Sequence, residues 1–319
     1  MKKALAFVFG LFLAACTREE APVKQSITLI LSAKGTPTRA ADPDENRISD
    51  INLFIFNSFG LLEEKLYIPA RSLQLKEGAV RHKTILLRDA PYTVLAAANI
   101  GYELSFRTLE EAFAYRYYMA YPDEYSRGIP MAACLEEFVP GEAPSPEIPL
   151  ERLMAKVELV IDRTALSDDV SFKVTDVRVG GCPSSALLFA PSKAETAAQV
   201  FSVGFSKSGR EVQALNQDAS LGISRPLGVY LLENCQGELE YPIGVRKDVC
   251  SYIEIKAEYH SPDWHTLPSS RLVYRFYLGE DRRDYNIFRN TLYRVTVRPE
   301  GEGLTGDSWH IDRGGLVVE

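Results

Sequence analysis

The chain is poor in the side chains from which active sites and metal centres are usually built. Four histidines stand among 319 residues, at 82, 260, 265 and 310. Acid–base catalysis or a transition-metal site would have to use one of these or a set of carboxylates. No Cys-x-x-Cys occurs, which argues against a zinc ribbon or a thioredoxin-type redox pair. There is no Gly-x-Ser-x-Gly elbow, no P-loop and no dinucleotide fingerprint. Positive charge is not in excess: 36 Lys and Arg against 43 Asp and Glu give a net charge of −7. That balance argues against a nucleic-acid footprint and against adhesion to anionic lipid by charge alone. No fixed-period repeat is present. Beyond the N-terminus no run is long and apolar enough for a membrane-spanning helix. The densest group of chemistry-bearing residues is His260-Ser-Pro-Asp263-Trp-His265, which reads as a polar hairpin loop rather than a metal site. The pairs Glu110/Glu111 and Glu136/Glu137 lack the spacing of a glycosidase pair. No catalytic residue, no cofactor and no metal ligand are therefore assigned.

The N-terminus is the most informative stretch. Lys2 and Lys3 precede an apolar run, Ala4 to Leu13, and then Ala14-Ala15-Cys16. A positive n-region, a short apolar core and small residues at the end make 1–15 a signal peptide cut between Ala15 and Cys16. The Leu13-Ala14-Ala15-Cys16 segment resembles a bacterial lipobox, which makes Cys16 the site of lipid attachment. Several acyl chains on one residue form a stable anchor where one does not. Residues 16–25, polar and containing proline, form a lipidated tether.

The remainder is mostly short β-forming runs separated by turn residues, the pattern of sandwich domains. Strands are expected at Ser26 to Ala33, Ile51 to Asn57, Thr84 to Leu87, Tyr92 to Ala98 and Leu153 to Ile161. Further strands are expected at Phe172 to Val179, Val200 to Phe205, Leu227 to Leu232, Tyr252 to Tyr259, Arg271 to Leu278 and Leu292 to Val297. Thr108-Leu109-Glu110-Glu111 is a capping box that opens a helix running to about Tyr118. The tyrosine-rich segment after it reads as packing of that helix, with a sugar-stacking patch as the alternative. Residues 139–149, with several prolines, read as a connector. The economical architecture is all-β with one or two short helices, in two tandem domains at 26–157 and 158–319. Of the four cysteines after Cys16, Cys235 and Cys250 flank a hairpin-like stretch and form the candidate disulfide; buried thiols are the equal alternative.

Several separated segments together resemble the fimbrillin-like lipoproteins of Bacteroidales. They are the lipobox at Cys16, SITLILSAKGTPTRA, INLFIFNSFG, APYTVLAAANIG, IPLERLMAKVELVI and YRFYLGEDRRDYNIFRNTLYRVTV. Overall length and the last of these segments look most like the fimbrium anchoring subunit. The resemblance implies two transthyretin-like β-sandwiches and a non-catalytic cell-surface structural role. It implies partners that are other fimbrial subunits, joined by β-strand addition, and an outer-membrane location through the lipid on Cys16. It places Arg39-Ala40 where an arginine-specific protease would remove the first strand from a shaft subunit; an anchor keeps that strand. Trp309 to Val318 is the candidate donor strand, weakened by Gly314-Gly315. Glu19 and Glu20 resemble the acidic signal that sends such lipoproteins to the outer face. Alternatives are a polymerising shaft or tip subunit with an adhesive role, and a surface glycan-binding lipoprotein using Trp264, Trp309 or the tyrosines near 117 to 125.

Overall fold

A computed structural model describes residues 21–33, 43–119, 125, 127–196, 200–216, 222–238, 248–260, 270–279, 283–300 and 309–315. In the first part of the chain, buried Ile27, Leu29 and Leu31 alternate with the more exposed Ser26, Thr28, Ile30 and Ser32 along β1 (Lys24–Ala33). There follow β2 (Ile51–Asn57), β3 (Leu62–Ile68), β4 (Ala79–Leu87) and β5 (Tyr92–Ala98). A short helix α1 (Leu109–Ala114) leads into β6 (Arg116–Tyr118), β7 (Met131–Phe138) and β8 (Glu147–Arg152). One seven-stranded sheet has the order β3-β2-β5-β7-β8-β1-β4.

This sheet buries both faces along its middle, which explains why β2 and β5 are nearly all apolar. Ile51, Leu53 and Ile55 of β2 and Val94, Ala96 and Ala98 of β5 point into one core with the apolar residues of β1. Phe54, Phe56, Leu95 and Ala97, one residue out of phase, point into a second core on the opposite face. The sheet curls until its two edges meet. Glu64 on β3 takes His82 Nε2 at 2.6 Å and the Thr84 hydroxyl, both on β4. Unpaired edge backbone is thereby partly covered by side chains.

The later part of the chain contributes β9 (Met154–Ile161), β10 (Ser171–Gly180), β11 (Ser185–Leu187), β12 (Phe205–Ser208), β13 (Leu227–Leu232) and β14 (Asn234–Glu238). β15 (Tyr252–His260), β16 (Ser270–Tyr277), β17 (Asp284–Ile287), β18 (Thr291–Val297) and β19 (Trp309–Gly315) complete it. Two four-stranded sheets, β12-β10-β15-β16 and β13-β9-β18-β19, enclose a third core. Val157, Leu159, Val177, Ile253, Ile255, Tyr293 and Val295 lie at its centre. The change of sheet falls at Leu153, between β8 and β9. The fold class is all-β with short helices, as the strand pattern predicts.

Some local expectations are corrected. The Thr108 hydroxyl does accept from Glu111 N, at 3.2 Å, but the helix ends at Ala114 and residues 116–118 pair with β11 as a ribbon. The strand expected at 200–205 is instead Phe205–Ser208, with only a bridge at Phe201. The expected connector 139–149 runs into β8, whose first residues pair in parallel with β1. β3 and β7 were not legible as strands because Glu63, Glu64, Glu136 and Glu137 interrupt their apolar pattern.

Candidate functional site

The strand that the processing question turns on, β1, lies inside the sheet. It pairs antiparallel with β4 from Lys24↔Leu87 to Ser32↔Ala79 and parallel with β8 from Ile30↔Glu147 to Ala33↔Leu150. Thr28 N donates to Pro144 O at 2.9 Å and Ile30 N to Pro146 O at 3.1 Å. Ile27, Leu29 and Leu31 are at most 1% exposed. An empty β1 slot would present two unpaired backbone rows and an apolar trough, a form that a supplied strand fills by β-augmentation. Cys16, the cleavage pair Ala15 and Cys16, and the Arg39-Ala40 bond all lie outside the described residues.

Downstream of that loop the chain is fastened by a buried polar node. Glu45, 3% exposed, pairs with Lys156 Nζ on β9 at 2.7 Å and accepts from the Tyr230 hydroxyl on β13. Glu158 meets the same amine at 3.1 Å and Arg294 at 3.3 Å. Burial works against the charge on Lys156, but Glu45 and Glu158 outweigh it and hold its pKa above the ordinary lysine value. Arg152 donates to Glu45 O at 3.0 Å, to Asn290 Oδ1 at 2.9 Å and to Asn46 Oδ1. Burial lowers the Arg152 pKa, opposed by Glu45 and Tyr230.

The polar corner at Asn286 and Arg289-Asn290-Thr291 is held by a second buried ion pair. Arg289 pairs with Glu233, 2% exposed in its side chain, through Nε at 2.8 Å and again through Nη2. Its remaining donors go to the carbonyls of Leu187, Leu188 and Ala190 at 2.8–3.2 Å. Asn290 adopts φ 53°, donates its N–H to Met154 O at 3.0 Å and accepts from Arg152. Both nodes sit beside the core shared by the two parts of the chain, where Phe189 lies against Phe54 and Phe106 at ring-centroid distances of 6.5 and 6.1 Å. Sequence reading did not find Glu45, Glu64 or Glu233. Each acts on a partner distant in the chain, and a lone glutamate carries no local signal for that.

Other candidate residues disperse. Cys235 is half-buried, with its sulfur 3.9 Å from Ile287 O, and Cys250 is fully buried; both stand as thiols in the structure. Tyr115 packs edge-on against Phe106 at 5.3 Å, and Tyr125 against Tyr230 at 5.0 Å. Tyr102 and Tyr118 keep 50% and 66% exposure. His260 ends β15, while Asp263, Trp264 and His265 lie outside the described residues. β19, which contains Trp309, is an edge strand paired with β18, and its Gly314 and Gly315 stand opposite Leu292 and Thr291.

A family model described as a domain of unknown function (DUF4906) matches residues 229–297. No curated protein matches the chain. Among solved structures, the chain is similar to the tip fimbrial protein Mfa3 of Porphyromonas gingivalis, with a TM-score of 0.60, 11% identity, and 91% of this chain and 98% of that one covered. A fimbrilin of Porphyromonas gingivalis W83 gives 0.59 and 14%, over 90% and 96%. A fimbrial assembly protein of Parabacteroides distasonis ATCC 8503 gives 0.51 and 13%, over 93% and 97%. What they share with this chain is the fold.

Proposed function

We propose that the protein is a non-catalytic structural subunit of a cell-surface fimbrium, and specifically the subunit that anchors the polymer in the outer membrane through lipid on Cys16. The observation that carries the reading is the position of β1: an apolar strand, paired on both sides, that closes the chain's own slot. A subunit so closed has no trough to offer a neighbour. The fold shared with fimbrial proteins along nearly the whole chain supports the same class. In this reading 1–15 is removed on export and the lipidated tether, expected over 16–25, ends before Lys24 and Gln25, which already pair in β1. The body, expected to divide into sandwiches at 26–157 and 158–319, divides nearer Leu153, because residue 157 lies inside β9. Partners are other fimbrial subunits that meet this one by strand addition. The second reading is a shaft or tip subunit, favoured by Arg39-Ala40 in the segment that follows β1. It requires cleavage there and release of β1.

Intact mass and N-terminal analysis of protein recovered from cell envelopes decides between them. A lipid-modified chain beginning at Cys16 with β1 retained is expected. A lipid-free chain beginning at Ala40 would replace the anchor by a polymerising subunit. The same mass reports whether Cys235 and Cys250 have lost two hydrogens to a disulfide.

A further inference from the structure

The seven-stranded sheet is split along part of its length. β7 and β8 are neighbours, yet they pair only at Met131↔Arg152 and Ala132↔Glu151. Among the described residues, from Ala133 onward β7 is paired on its β5 side alone, and from Glu147 to Leu150 β8 is paired on its β1 side alone. Two local features hold the strands apart. β7 bulges between Leu135 and Phe138, with Glu137 at φ 52°, and a bulge bends its strand and re-aims it. Just before β8, the carbonyls of Pro144 and Pro146 accept from β1. By the two-residue alternation Ile148 also turns to β1, so Pro149, which has no N–H, turns to β7 and offers it no donor.

The opening is a cavity of about 340 Å³ between β7, β8 and the 188–191 segment. Ala133, Cys134 and Pro149 form its walls, and Leu188, Phe189 and Pro191 its floor. That floor is preformed: Arg289 binds the carbonyls of Leu187, Leu188 and Ala190, and Glu233 accepts from Ser192 N at 2.7 Å. Glu147 and Glu151 line the cavity, and the exposed Glu136 lies 3.8 Å from the sulfur of Cys134, one of the lining residues. Arg289 is the basic residue of the lining, and its donors go to Glu233 and to those carbonyls.

We propose that this split is a docking slot for an extended segment of a partner protein. The segment adds as a short strand along the Ala133–Phe138 edge of β7. Its side chains alternate between the two faces of the sheet: small apolar ones lie on the face of Ala133 and Leu135, and lysine or arginine stems cross Pro191 on the other face toward Glu136 and Glu147. An unpaired strand edge recognises extended backbone, and an acidic rim on one face with apolar side chains on the other selects basic residues alternating with apolar ones. The slot is open with β1 in place, so it is separate from the β1 site and independent of the fimbrial assignment.

The test uses the full chain and three fluorescent pentapeptides: Lys-Val-Lys-Val-Lys, its charge-reversed form Glu-Val-Glu-Val-Glu, and the lysine peptide N-methylated at alternate residues. Fluorescence anisotropy and amide hydrogen exchange are read together. The lysine peptide is expected to bind, to slow exchange within 133–138, and to lose about tenfold or more in affinity in the exposed-site variants Glu136→Lys and Glu147→Lys. The other two peptides are expected not to bind. Equal binding of the N-methylated peptide would reduce the contact to charge adhesion and overturn strand addition. Absence of lysine-peptide binding, or protection elsewhere in the chain, would overturn the site. A dimer of the unliganded chain that protects 133–138 would make a second copy the occupant and overturn the partner assignment.

Discussion

Leu29→Ala tests whether β1 is a structural member of the sheet. Leu29 is 0% exposed, lies in the middle of β1 opposite His82, and packs in the core with Ile51, Leu53 and Val94. A buried leucine truncated to alanine loses transfer free energy and leaves a cavity, at a cost of about 2–5 kcal/mol. Against a typical total stability of about 5–15 kcal/mol, the variant still folds but with much of its margin gone. With a urea m-value of about 3 kcal/mol/M, the midpoint falls by about 0.7–1.7 M. The two tryptophans, Trp264 and Trp309, both lie in the later part of the chain, whereas far-UV circular dichroism sees every strand. The shared core of Phe54, Phe106, Leu188 and Phe189 couples the two parts. Both probes are therefore expected to shift together. A circular-dichroism midpoint within about 0.2 M of the parent would refute the structural role of β1. A fluorescence midpoint that stays while the dichroism midpoint moves would refute the coupling.

Arg289→Ala leaves Glu233 buried without its cation and strips three carbonyls of their donor; a loss of about 3–5 kcal/mol in urea unfolding is expected, and a loss under about 1 would contradict the node. In Gly279→Ala the added Cβ would stand 1.7 Å from the Asp284 carbonyl oxygen, a backbone atom that no rotamer change moves. Soluble yield should collapse, and a parental yield and spectrum would show that the turn relaxes at no cost. Burial, with Glu136 beside it, pushes the Cys134 thiol up to about 12. Its alkylation by iodoacetamide should therefore be slow at pH 8 despite exposure, and should rise about tenfold per pH unit to about pH 11. A plateau near pH 9 would show an ordinary thiol.

The strands read most accurately from sequence are those whose two faces are both buried. INLFIFN and YTVLAAA serve two cores at once, so they are nearly all apolar, with Asn52 and Thr93 the interior exceptions, and are bounded by turns. Two strands that were missed, β7 and β8, have one face on solvent or on an opening in the sheet. MAACLEEF places glutamates where the sheet splits, and EIPLER begins among prolines that look like a linker. Proline is tolerated there because its nitrogen turns toward the split. The capping box marked where α1 starts; its early end follows from Tyr115, which leaves the helical region at ψ 130° and sends Arg116–Tyr118 to pair with β11. Pairing over long sequence distance, as of Glu45 with Lys156 or Glu64 with His82, leaves no periodic trace. Cys16 and Arg39 lie outside the described residues, and their roles rest on motif and position in the sequence alone.

The anchor reading constrains how load passes through the molecule. If lipid holds Cys16, tension passes along the chain that precedes β1, enters the sheet at Lys24 and runs along the axis of β1. Lengthwise tension loads the pairs from Lys24↔Leu87 to Ser32↔Ala79 and the parallel contacts to β8 together, in shear, rather than one at a time. Beyond Ala33 covalent continuity runs through residues 34–42 to Glu45, whose carboxylate is tied to Lys156 and Tyr230 of the other sheet system. Load is thus handed from β1 to the body by two routes: the hydrogen-bonded flanks of the strand, and the chain itself into a buried ion pair. A cut after Arg39 would remove the second route and leave the lipid attached only through a strand held by noncovalent pairing. That arrangement suits a subunit meant to release its first strand and defeats one meant to hold a fibre to a membrane. Under the anchor reading the Arg39-Ala40 bond stays intact and under the shaft reading it is cut, so the state of that bond in the assembled fibre separates the two readings.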